Sequence, residues 1–178
     1  MQTSRLITLS KFNVRWKFIN IYFNYKFKKI VSLSKIILSF SLRDITNDED
    51  LVLIKSLYFL ELISSQKAFV KVFRRHSRNK TKQNTLNFLA QVILRKNNMY
   101  FFLDLFYNSI IPRLTQKFIT INDNMDFKGN LTLVIKDLTV FPSLFLNSLS
   151  WSYPLKIDFI FKDSSDKRSY LFFKELIY

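Results

Sequence analysis

The chain has 178 residues, with 28 Lys+Arg against 13 Asp+Glu, a formal charge of +15, and a composition of 20 Phe, one Gly, one His and no Cys. The lack of Cys excludes disulfides, a thiol nucleophile and Cys-ligated zinc or iron–sulfur centres. The single Gly excludes a glycine-rich phosphate-cradling loop, which needs several close backbone approaches, and the lone His76 cannot form a His cluster for a metal. A charge of +15 points to a polyanionic partner or an anionic membrane surface, and fourteen of those fifteen excess charges lie in residues 1–103.

Residues 1–34 are read as a basic N-terminal helix and lead-in, and 35–178 as one α+β domain. Met1 to Arg43 holds nine Lys+Arg and no acid, which suits either an organelle transit peptide or mature RNA-binding structure. Trp16, Phe18, Tyr22 and Phe23 at helical spacing favour the second reading, with an amphipathic helix over Lys11 to Phe23. Ile36 to Leu42 is expected to be a strand. Thr46 and Glu49 form a helix-start signal for a helix over Leu51 to Ile63, with Leu53, Leu57 and Leu60 at core spacing. Ala68 to Phe73 and Phe88 to Leu94 read as strands around a polar basic stretch, Arg74 to Lys82, that has no apolar residue and belongs in an exposed loop.

Asn97 or Asn98 is the expected cap of a helix whose face carries Met99, Phe102, Leu103, Phe106 and Ile110 and which ends at Pro112. Phe118 to Asn130 is a polar loop and Leu131 to Ile135 a strand. Leu155, Ile157, Phe159 and Phe161 alternate with Lys156 and Asp158 as in a half-buried strand, and Ser165 can cap a last helix. The longest uncharged run, Leu138 to Leu155, is broken by two prolines, an Asn and four Ser, and does not read as a membrane span. The fold class expected is α+β, a single domain with an antiparallel sheet, helices packed on one face and an open RNA-binding face.

Between Leu62 and Leu103 stand Lys67, Lys71, Arg74, Arg75, Arg78, Lys80, Lys82, Arg95 and Lys96, with no Asp or Glu. Cations without competing carboxylates are what phosphate binding and counterion release require, whereas a merely solvated face usually mixes signs. Lys71 and Arg95 are placed to project from the open sheet face. Exposed aromatics there would stack on unpaired bases, but for any single Phe core packing is the preferred reading, because A/T-rich coding inflates the Phe count. His76 is read as a surface residue rather than a general base, and Asp123 and Asp126 as turn residues rather than a metal pair. No catalytic residue, cofactor or metal is assigned.

A series of short motifs resembles the large-subunit ribosomal protein five family, the 5S-rRNA-binding protein of the central protuberance. Phe23-Asn24-Tyr25 matches a family tripeptide. Leu62-Ile63-Ser64-Ser65-Gln66-Lys67 looks like its apolar-Ser-Gly-Gln-Lys turn, and Val92-Ile93-Leu94-Arg95 is similar to its strand ending in Thr-Leu-Arg. Met99 to Leu103 followed by Ile111-Pro112-Arg113 looks like its Met-aromatic helix. Asp126-Phe127-Lys128-Gly129-Asn130 is similar to its Asp-Gly-Arg-Gly-Asn loop, Val140-Phe141-Pro142 to its Ile-Phe-Pro, and Leu155-Lys156-Ile157-Asp158 to its last strand. Each is weak alone; together, in order, they cover roughly 155 residues of the chain.

The resemblance implies an antiparallel sheet whose open face grips 5S rRNA. It also implies a basic hairpin loop reaching large-subunit rRNA and the elbow of P-site tRNA, and a small-subunit head protein as a neighbour. Gln66 and Arg95 match RNA-contacting positions, Lys128 and Asn130 fall in the matched loop, and Ser39 and Ile93 stand where the family has Asn and Thr. Ser65 and Phe127 replace glycines, and since other residues resist positive φ the backbone there is expected to differ. The reading is a structural ribosomal protein rather than an enzyme, binding 5S rRNA and/or large-subunit rRNA, in the mitochondrial matrix and organelle-encoded, with neither a membrane nor a homo-oligomer. An organellar endonuclease and a basic peripheral membrane protein are the alternatives.

Overall fold

A computed structural model describes residues 5–22, 31–42, 49–75, 85–113, 126, 129–144, 151, 153–162 and 172. The strands are β1 Ser32–Leu42, β2 Phe69–Arg75, β3 Thr85–Leu94, β4 Leu131–Ile135 and β5 Leu155–Lys162. The helices are α1 Arg5–Leu9, α2 Arg15–Tyr22, α3 Glu49–Ser64, α4 Lys96–Leu105 and the short α5 Ile111–Arg113. The strands form one five-stranded antiparallel sheet in the order β2-β3-β1-β5-β4, so the fold is α+β as expected.

The sheet is asymmetric because its strands alternate. On β1, Ile36, Leu38, Phe40 and Leu42 are fully buried, while Lys35 and Ile37 between them are half-buried. On β3, Ala90, Val92 and Leu94 are buried; on β5, Leu155, Ile157, Phe159 and Phe161 are buried, while Lys156 and Lys162 are exposed. Successive side chains of a strand point to opposite faces, so one residue set builds the core, while the other runs from the exposed Lys156 through the half-buried Ile37 to the buried Ser39 and Gln91.

The backbone groups into two compact units, residues 1–36, 94–133 and 158–178, and residues 37–93 and 134–157. In the second unit α3 buries Ser56, Phe59, Leu60 and Ile63. The Trp151 ring lies edge-on between Phe59, at 5.0 Å, and Phe40 of β1, at 5.4 Å. Leu53 and Leu57, expected in the core, are half-buried beside this face. Phe141 of the Val140-Phe141-Pro142 motif is fully buried, and its backbone N–H donates to the Leu138 carbonyl at 3.1 Å. That motif is therefore a core device, placed by two short 3₁₀ turns, Leu138–Val140 and Pro142–Leu144.

In the first unit the N-terminal helix begins earlier than the aromatic spacing predicts. It runs from Arg5 through a π turn, Ser10–Val14, to Tyr22, and buries Leu6, Ile7, Ser10 and Val14. Ser10 Oγ donates to the Ile7 carbonyl at 3.0 Å, and its oxygen is hydrogen-bonded to the Tyr100 hydroxyl of α4 at 3.2 Å. A hydroxyl bonded back to the ladder competes with the regular helical bonds, and the wider turn begins at this residue. Trp16, expected on the apolar stripe, is instead 60% exposed. The side chains of Phe18 and Tyr22, and Phe23 as a whole, lie outside the described residues.

Helix α4 corrects the sequence expectation at both ends. Neither Asn97 nor Asn98 caps it: Arg95, extended at φ −139°, precedes it without a side-chain cap, and Lys96 takes a left-handed φ of 51°. The strand β3 ends at Leu94 and α4 begins at Lys96, so one residue separates them and the left-handed step falls at the junction. A second π turn, Phe106–Ile110, leads into α5, which carries Pro112 inside it rather than after it. Proline lacks the N–H and crowds the turn before it, and the widened turn directly upstream accommodates both. Met99, Phe102, Leu103, Phe106 and Ile110 are all buried as expected, and Phe106 packs 5.5 Å from Phe159 of β5. Burial pushes the Tyr107 phenol up, so it stays neutral. Burial also raises the Asp104 carboxyl, against the pull of Arg5 at 4.0 Å.

The caps expected at Thr46 and Ser165 lie outside the described residues, although the buried Phe172 stacks edge-on against Phe161 at 5.6 Å. The aromatic packing over β1 gives a test. Phe40→Ala should cost about 3–5 kcal/mol in urea unfolding, while Trp16→Ala, at an exposed position, should stay within about 0.5 kcal/mol.

Candidate nucleic-acid interface

The expected binding residues concentrate on β2 and the turn before it. Among the described residues this strand is an outer strand of the sheet, paired antiparallel to β3, with Phe69 opposite Gln91, Lys71 opposite Leu89, Phe73 opposite Asn87 and Arg75 opposite Thr85. Ala90 and Val92 point into the core, so positions 69, 71, 73 and 75 share the opposite, open face with Asn87, Leu89 and Gln91. On that stripe Phe69 is 39% and Phe73 51% exposed, and Lys71 is exposed between them. The Lys71 ammonium sits 5.6 Å from the centroid of the Phe69 ring, within cation–π range. On the other side Val72 is 55% exposed, because an outer strand is covered on neither face as fully as an inner one.

The turn that launches β2 is built from α3. The Ser65 N–H donates to the Glu61 carbonyl at 2.8 Å, and Ser65 has φ 52°. This is a left-handed helix cap, normally made by glycine. The loss of Gly was expected to change the turn, yet Ser65 holds the left-handed conformation itself. Neighbouring bonds over-determine it. Ser64 Oγ donates to the Leu60 carbonyl at 2.6 Å and accepts from the Gln66 N–H at 3.2 Å, and the Glu61 carboxylate accepts from the Ala68 N–H at 3.0 Å. The network leaves Gln66 half-buried and Lys67 exposed immediately before the stripe.

The remaining expected residues are placed as follows. Lys67, Lys71, Arg74 and Arg75 lie along the turn and one strand, whereas Arg78, Lys80, Lys82 and Lys128 lie outside the described residues. Ser39 is 3% exposed, on the same alternate set of β1 as Ile37 and Ser41. Arg95 and Asn130 belong to the other unit. Arg95 is exposed where β3 meets α4. The Asn130 side-chain oxygen accepts from the Phe161 N–H of β5 at 3.2 Å, and its backbone carbonyl accepts from the Asp126 N–H at 2.9 Å. With Gly129 at φ 72°, these bonds shape the lead into β4, while Phe127 lies outside the described residues.

Sequence reasoning passed over three residues. For Phe69 and Phe73, as for any single Phe, core packing is the preferred reading from composition, although their alternation with Lys71 and Arg75 is the signal that places them outside. Gln91, 6% exposed, carries a buried side-chain oxygen with no hydrogen-bond donor among the described residues. An unmet buried acceptor costs about 1–3 kcal/mol.

An outer strand with an exposed lysine between two exposed rings, just after the exposed Lys67, has the makings of a polyanion-binding surface. Among known proteins no family model matches the chain. It is 27% identical over 154 residues to large ribosomal subunit protein uL5 of Parabacteroides distasonis, covering 86% of this chain and 82% of that protein. It is 29% identical over 155 residues to uL5 of Malacoplasma penetrans, with the same coverage of 86% and 82%. It is 27% identical over 143 residues to uL5 of Porphyromonas gingivalis, covering 80% of the chain and 76% of that protein. Likeness across most of the length, to proteins of one name, supports the uL5 family.

The left-handed Ser65 makes a prediction. Ser65→Gly relieves the cost of that conformation, about 1–2 kcal/mol, and returns part of it as unfolded-state freedom, so urea unfolding should show a net gain of about 0.5–1 kcal/mol. Ser65→Val should lose stability.

Proposed function

We propose that the protein is a structural constituent of the large ribosomal subunit that binds ribosomal RNA, and not an enzyme. The observation that carries this reading is the similarity to bacterial uL5 over 86% of the chain. The surface agrees with it physically. Lys67, Lys71, Arg74 and Arg75 stand on the turn and strand with no acid from Leu62 to Leu103, so phosphates meet cations without a competing carboxylate. A rigid strand fixes the spacing of these charges and spares the RNA complex the entropy of ordering them.

The finer reading follows the same likeness. The protein sits in the central protuberance and binds 5S rRNA and/or large-subunit rRNA. The basic stretch from Arg74 to Lys82 reaches P-site tRNA, a small-subunit head protein is a neighbour, and the ribosome is mitochondrial. The coding bias toward Phe, Ile, Lys and Asn, with a single Gly, is the support for an organelle. Gln66 and Arg95 are the polar contacts proposed beside the cations, with Lys128 and Asn130 on the loop before β4 and Ser39 reached only where RNA lies close against the sheet.

The electrostatic part has a direct test. Replacing Arg74, Arg75, Arg78 and Lys80 together by Ala should weaken RNA binding. It should also flatten the plot of log affinity against log salt by about 3, the share of four phosphate contacts. Filter binding across a salt series measures both, and an unchanged slope removes these residues from the interface.

A further inference from the structure

We propose that Phe69 and Phe73 form a stacking platform for two unpaired RNA bases, with Lys71 holding the sugar–phosphate between them. This rests on the RNA-binding reading and specifies which form of RNA the strand takes. The rings lie on one face of β2, four residues apart, and so about 13 Å from each other with Lys71 midway. Both are exposed on a strand paired on one side only, where burying a ring against the protein's own core is not available.

Two exposed rings on one short stripe make a surface that a flat apolar group can cover, and a group covering Phe69 must also suit the Lys71 ammonium that lies over that ring. Lys71 already lies toward the Phe69 ring, so a base on that ring would bring its own phosphate within reach of the ammonium. Paired bases hide their faces within the helix stack, whereas unpaired bases offer them to aromatic side chains. The stripe therefore selects loop or single-stranded RNA over duplex. Gln91, directly opposite Phe69, adds a polar contact: with its amide turned outward, its unmet oxygen accepts from a base amine or a ribose hydroxyl seated on that ring.

The experiment uses the full-length protein and a short single-stranded RNA carrying 5-iodouridine, with a duplex of the same sequence as control. Ultraviolet crosslinking should join the RNA to Phe69 or Phe73, and the duplex should not crosslink there. Phe69→Leu and Phe73→Leu should each weaken single-strand binding roughly tenfold while leaving the salt slope unchanged, because the lost contact is uncharged. Phe73→Tyr, which keeps the ring, should bind as the parent does, and equal urea midpoints would establish that the variants fold. Parent-like affinity in both Leu variants, or crosslinks that map elsewhere, overturns the platform but leaves the RNA-binding reading intact. A protein that binds no RNA under any salt condition overturns both. Self-association abolished by the Leu substitutions would make the stripe a protein interface and also overturn the proposal.

Discussion

The period-two alternation of the inner strands is the constraint on which the rest depends. Over Ile36 to Leu42 of β1 and along β5 every second residue is a large apolar side chain taken out of water, and most residues between are small, polar or charged, with Ile37 and Ile160 half-buried. Shifting either strand by one position would send Phe40, Ile157 and Phe159 to the wet face and Lys156 into the core. That cost fixes the register, and the register then decides which residues on every neighbouring strand look outward. The helices follow from it. Phe59 and Trp151 exist where they do because Phe40 needs covering, and Phe106 because Phe159 does.

The outward surface is thus inherited rather than separately built. Pairing with β3 hands β2 its two faces, and Phe69, Lys71 and Phe73, which share one of them, stay exposed. The α3–β2 turn then sets where the cation series begins. Its left-handed step survives without glycine because the Ser64 and Glu61 side chains and the backbone groups they bond hold it in place, which is how strained backbone persists in folded proteins.

Much of the sheet was legible because alternation is a direct imprint of strand geometry. Leu131 to Ile135 was read at its observed bounds, and Leu155 to Phe161 fell within β5 with the right residues inside. Boundaries that depend on tertiary bonds were not legible. The π turn at Ser10 is bonded to Tyr100, ninety residues away, and nothing local announces such a partner. The corner at Lys96 replaces a cap that Asn97 or Asn98 would have supplied, because the strand ends too close to the helix for either. At the surface the charges were legible and the rings were not. A Phe in a Phe-rich chain carries little information until its strand is known to be an outer one.

That outer strand has one more consequence. An extended segment with free N–H and C=O groups along one side is a template for a second strand, and Val72 and Phe73 make this one sticky. Pairing two copies edge to edge along it would also bring the like charge of Lys71 against its own copy. The repulsion weakens as salt shortens its range. The positive charge that suits such an edge to a polyanion thus also opposes its pairing with itself.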